Sequence, residues 1–172
     1  MKNRNLILLF GGAVAGVVCL GVQPAAAIAP FRAEFEELYI VEEGGTPEQQ
    51  KLAELYNDNA KGKCWTCHAN MKELGYDTAY GKLVRNSYGR ALSQFLDKEN
   101  FGVDRRRQEP EAAKAEIQEA MKKVAEMKVN PEDPDSPTFG ELMSKGELPG
   151  DGKPDAEDLE AATKKLKEEG KL

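Results

Sequence analysis

One five-residue segment, Cys64-Trp65-Thr66-Cys67-His68, constrains this chain more than any other feature in it. Thiols three residues apart on a helical turn present both sulfurs to one side. An imidazole follows at once. Cys-x-x-Cys-His is the attachment signature of c-type haem, because two thiols must reach two vinyl groups on the same edge of one porphyrin. The residue after the second cysteine then turns its ring under the macrocycle toward the iron. A thioether does not dissociate, so a small protein keeps a cofactor that it could not bury fully. The reading predicts one covalently attached haem c held by Cys64, Cys67 and His68, with His68 as the metal ligand.

Rival chemistries for these residues lack ligands or context. The chain has 3 cysteines and 1 histidine. A structural zinc site wants four Cys or His ligands. A thioredoxin-like redox pair wants its Cys-x-x-Cys beside a strand–helix–strand unit, whereas the surroundings here read as helical. A plain disulfide between Cys64 and Cys67 is the third rival. Since His68 is the sole histidine, two histidines of one molecule cannot share the iron.

Residues 1–27 read as an export signal outside the folded domain. Lys2 and Arg4 give a positive start, Leu6 to Val22 is uncharged and apolar, and Ala25-Ala26-Ala27 supplies small residues for a signal peptidase. Cleavage is expected after Ala27. The competing reading keeps the run as a membrane anchor, although a full span wants about 20 apolar residues. Lipidation at Cys19 is disfavoured by Val18, where that signal wants a small residue. Cys19 leaves with the leader, so the remaining cysteines both lie in the motif. Of 24 basic side chains, Lys2 and Arg4 leave too; 22 stay against 30 acidic ones, a formal charge of −8. Such a surface excludes a general nucleic-acid binder or a binder of anionic membranes. An exported, periplasmic location agrees with haem attachment outside the cytoplasmic membrane.

Residues 28–172 are expected to form a single all-α domain. No convincing strand run or solenoid repeat appears. Residues 28–46 are a lead-in. Glu48 to Ala60 is a helix candidate, with Thr46 as cap, Pro47 at the first position, and Leu52, Leu55 and Tyr56 on one side. Asn86 to Lys98 is the next, with Tyr88, Leu92, Phe95 and Leu96 at helical spacing. Glu111 to Lys128 is the clearest, with Pro110 at its start and Ile117, Met121, Val124 and Met127 in steps of three and four. Pro131, Pro134 and Pro137 then impose a loop. Phe139 to Lys145 suggests a short turn of helix, and Asp155 to Glu169 a last amphipathic helix with Leu159, Ala162 and Leu166 inward. Aromatics make up 7% of the chain, thin for such a core, and a macrocycle would add apolar surface.

At this point the chain resembles a class I cytochrome c. A helix runs into Cys64-x-x-Cys67-His68, helices follow, and an amphipathic helix closes the chain. The sharp part of the likeness covers five residues, and the helix layout extends it loosely over residues 47 to 169. The resemblance implies that Cys64 and Cys67 carry the thioethers and that His68 is the proximal ligand. It also implies a methionine ligand in a loop shortly before the last helix. Only Met143 sits comparably, and its setting, Phe139-Gly-Glu-Leu-Met-Ser-Lys-Gly, departs from the family's ligand loop.

The sixth iron position is thus open at this stage. Met71 lies three residues past His68, on the wrong face. Met121 and Met127 fall on an apolar stripe, where methionine ordinarily packs. Met143, a lysine, or an open site remain. Trp65 either packs beside the haem edge or is plain core. Tyr80-Gly81 and Tyr88-Gly89 read as turn residues against the porphyrin or as helix-start punctuation. Lys61, Lys63, Lys72, Lys82, Arg85 and Arg90 either ring a haem edge or form a solvated surface. Arg105-Arg106-Arg107 reads as a solvated loop. Asp151 to Asp155 lacks the ligand alternation of a calcium loop.

The functional expectation is an electron carrier, not an enzyme, making small, short-lived contacts with redox partner proteins. The alternatives are a haem enzyme or gas-binding subunit with an open sixth site, and a haem-bearing scaffold subunit that docks through residues 129 to 172.

Overall fold

A computed structural model describes residues 29–58, 62–69, 84–96, 103–150 and 152–170. The expected leader, residues 1–27, lies outside them. Seven α-helices and one 3-10 turn carry the described residues, with no named strand among them. The all-α expectation holds at that level. Among the described residues, no helix is long and apolar enough to cross a membrane.

Helix α1 (Ala29–Tyr39) lies in the segment read as a lead-in. Its Phe31, Phe35 and Leu38 recur at helical spacing and join the main core. Part of the apolar surface that composition had assigned to a macrocycle therefore comes from α1. Phe35 stacks on Tyr56, with ring centroids 5.4 Å apart, and meets Tyr88 edge-on at 6.0 Å. Tyr88 in turn meets Phe139 at 5.4 Å. Four elements are thereby joined through one chain of rings.

Helix α2 (Pro47–Asn57) starts as read from the sequence. Thr46 accepts from the Gln49 N–H while Gln49 reaches back to Thr46, a capping box ahead of Pro47. Helix α3 (Ser87–Leu92) is shorter than expected. Asn86 is its cap, and the chain turns over Ser93 to Phe95 instead of continuing. That turn leaves Phe95 43% exposed, so it does not join Tyr88, Leu92 and Leu96 in the core as expected.

Helix α4 (Val103–Gln108) overturns the loop reading of Arg105-Arg106-Arg107. Arg105 pairs with Glu116 and Glu109, acidic partners that the isolated run did not reveal. Helix α5 (Pro110–Ala125) is the spine, burying Ala113, Ile117, Ala120, Met121 and Val124. Beside its apolar seam with α1, Lys114 reaches Glu37 at 2.6 Å and Gln118 reaches Glu34 at 2.7 Å.

The proline-rich loop folds back on itself. The Val129 N–H donates to the Pro137 carbonyl at 2.9 Å and the Phe139 N–H to the Met127 carbonyl at 3.0 Å. This return delivers α6 (Phe139–Ser144), capped by Thr138 and Glu141, to the core, where Phe139 and Met143 are buried. Helix α7 (Ala156–Glu168) is capped by Asp155. Its Ala162 and Leu166, with Leu159 beside them, close a second small cluster over Ala69 and Val84.

Candidate functional site

The motif occupies the 3-10 turn Lys63–Thr66 and the two residues after it. Gly62 enters at the end of α2 with its backbone against Tyr56; a side chain there would collide with the Tyr56 carbonyl. Lys63 then takes a left-handed conformation, φ 55°, the one non-glycine case among the described residues. Such a residue is held by its surroundings against its own preference. The His68 N–H closes the turn on the Cys64 carbonyl at 3.1 Å.

Cys64 is exposed and Cys67 half-buried, and both are free thiols. Burial, with Cys64 close by, pushes the Cys67 thiol up to about 12. At neutral pH that thiol keeps its proton. A redox or metal-binding cysteine needs the opposite, a pKa lowered toward the thiolate.

His68 pairs with Arg85 in an isolated antiparallel bridge. The Val84 carbonyl receives the Ala69 N–H at 3.1 Å and His68 Nδ1 at 3.3 Å. A carbonyl only accepts, so this contact calls for a proton on Nδ1, and in the neutral ring that leaves the lone pair on Nε2. An imidazole that ligates a metal uses this arrangement, its second nitrogen donating to a carbonyl that fixes tautomer and ring plane.

Residues 84–89 form the other half of the site. Asn86 is wholly buried, and the two N–H groups of its carboxamide are shared among the carbonyls of Trp65, Thr66 and His68. Gly89 lets α3 back directly onto the motif, since a side chain there would strike the Cys67 carbonyl. Three buried hydroxyls at or beside the turn, on Thr66, Ser87 and Tyr88, find no hydrogen-bond partner among the described residues. Burial, then the nearness of Cys67 and Tyr39, holds the Tyr88 phenol well above its usual range.

Arg85 and Arg90, read as part of either a haem-edge ring or a solvated surface, are instead engaged in ion pairs. Both grip Asp158 of α7, Arg85 through Nη2 at 2.6 Å and Arg90 through Nη1 at 3.2 Å, and Arg90 also pairs with Glu157. They fasten the last helix to the site. Lys61, Lys72, Lys82, Met71 and the Tyr80-Gly81 pair lie outside the described residues. Trp65 is half-buried. Met121 and Met143 are buried in the main core, with Met127 packed against it. The segment from residue 129 onward, considered as a docking arm, places Phe139 and Met143 in that same core. Among the described residues, no group of three or more His, Cys, Asp and Glu side chains converges as a metal site.

Sequence reasoning missed Asn86, Val84 and Asp158. The first had a readable signal, an Asn directly before an apolar helical pattern. The second acts through its carbonyl, which no side-chain pattern reports. The third needs the fold to bring α7 back to Arg85. No family model, curated protein or solved structure matches the chain.

Proposed function

We propose that this chain is an exported, monohaem c-type cytochrome that passes single electrons between transient protein partners. The observation that carries the reading is the setting of His68. Its Nδ1 faces the Val84 carbonyl, which only accepts, so the neutral ring that bonds there carries its lone pair on Nε2, where an axial ligand needs it. The donor set agrees in kind: two unbridged thiols, one exposed and one half-buried, flank one turn, and each S–H could add across a vinyl group, the sulfur bonding to one carbon and the proton going to the other. A bound haem would supply the one-electron couple between ferric and ferrous iron. The chain's own part is to hold the two sulfurs on one turn and to fix the imidazole plane from behind.

The test is expression of the full chain in a host with the c-type maturation system. Intact mass should rise by one haem, and reduced protein should give a split low-spin spectrum indifferent to carbon monoxide. Cys64→Ala and Cys67→Ala should each leave one thioether or none, and His68→Ala should remove the low-spin signature. A purified chain with no covalent haem defeats the reading. Rapid carbon monoxide binding would instead support the gas-binding or enzymatic alternative. The deep burial of Met121 and Met143 makes Met121→Leu and Met143→Leu the informative variants for the sixth ligand. Loss of the sulfur-to-iron absorption band in either would assign it.

A further inference from the structure

We propose that Asn86 is a positioning residue, holding the turn that carries Cys64, Cys67 and His68 in the arrangement haem attachment requires; the haem part of this rests on the function proposed above. Four consecutive carbonyls of the motif end on this one residue. Its Nδ2 reaches those of Trp65, Thr66 and His68 at 2.9, 3.1 and 3.3 Å. Its backbone N–H reaches that of Cys67 at 3.1 Å. In a continuing α-helix the N–H groups four residues on would take these carbonyls. Here Ala69, which would take the Trp65 carbonyl in such a helix, donates to Val84 instead, and that carbonyl turns to Asn86. A buried carbonyl left without a donor is costly, which makes the carboxamide the condition for this turn.

The surroundings leave no room for a substitute. A side chain on Gly150 would run into Asn86 Nδ2 and lie 2.6 Å from the Thr66 carbonyl, and one on Gly89 would strike the Cys67 carbonyl. The plain alternative is that Asn86 merely caps α3, its Oδ1 accepting the Gly89 N–H at 2.9 Å. Aspartate and serine cap a helix about as well as asparagine, yet neither offers the NH₂ donors. They therefore separate the two roles.

The experiment compares wild-type full chain, Asn86→Asp and Asn86→Ser, made without haem in a cytoplasmic host and with haem in a maturation-competent one. In the haem-free proteins the readouts are the alkylation rate of Cys67 and the ring nitrogen shifts of His68. The amide exchange of α5 reports global folding. Positioning predicts at least tenfold faster Cys67 alkylation and loss of the Nδ1–H tautomer preference, with α5 protection retained. In the matured proteins it predicts at least a tenfold lower covalent haem yield. If Asn86→Asp does not fold, because it buries a charge, Asn86→Ser carries the comparison. Unchanged alkylation and an unchanged tautomer in a folded variant overturn the proposal. Absence of haem in wild type, with the turn still released by the variants, defeats the proposed function and leaves the hold of Asn86 on the turn supported.

Discussion

At the scale of single residues, Asp158 is a buried charge held by two arginines. It is 7% exposed and accepts from the Arg85 guanidinium, from the Arg85 N–H at 3.1 Å, and from Arg90 at 3.2 Å. Burial drives its carboxyl upward, but the hydrogen bonds from Arg85 and the charges of Arg85 and Arg90 outweigh that, and the net direction is downward. A folded-state pKa below the unfolded one contributes stability that is complete above the unfolded value, about 3.9, and disappears as pH falls through the folded one. Asp158→Asn is therefore expected to cost about 1–3 kcal/mol at neutral pH, less than a fully buried pair because both arginines are partly exposed. The gap should stay flat above about pH 5 and narrow below about pH 4. Urea midpoints of both proteins from pH 3 to 8 check this; a gap that widens in acid contradicts the assignment.

At the scale of elements, legibility followed periodicity and local caps. Thr46-Pro47, Thr138 with Glu141, and the Ile117, Met121, Val124 stripe lie within one or two turns of the elements they define, and α2, α5 and α6 stand where those signals put them. Helix α1 carried an equally readable spacing of Phe31, Phe35 and Leu38, but it follows the uncharged apolar run of Leu6 to Val22 and the alanines after it, which mask its start. The end of α3 was not readable, because Leu96 and Phe95 continue a helical pattern through a turn that tertiary packing imposes. The contribution of α1 is measurable through Phe35, 2% exposed and in contact with three other rings. Truncating a core phenylalanine typically costs about 3–5 kcal/mol. Phe35→Ala should fall in that range by urea denaturation, whereas truncating Phe95, 43% exposed, should cost well under about 1 kcal/mol.

At the scale of the whole molecule, the chain is built as a main core with a smaller cluster sealing the back of the candidate site. The motif itself was fully legible, since it is five contiguous residues. Its support was not, because Val84 and Asn86 reach it across 16 and 21 residues of chain, and Asp158 holds Arg85 beside it from 73 residues further on. Helix α7 contributes Ala162 and Leu166 to the small cluster and Asp158 to the arginine pair, while Ala69 and Val84 beneath it are wholly buried. This division predicts unequal consequences for its removal. A chain ending at Gly152 loses the cover of Ala69 and Val84 but none of the aromatic chain linking Phe35, Tyr56, Tyr88 and Phe139. Burying one leucine fully is worth about 1.5–3 kcal/mol, so with the ion pair the loss should be about 3 kcal/mol. Native-state hydrogen exchange should locate it: the Ala69 amide, bonded to Val84 at 3.1 Å, should exchange far faster, while the amides of Ile117, Met121 and Val124 should follow the lowered global stability and no more. Uniform acceleration across α5 and Ala69 alike would mean that the two clusters unfold as one unit and that α7 is part of the main core's cooperativity.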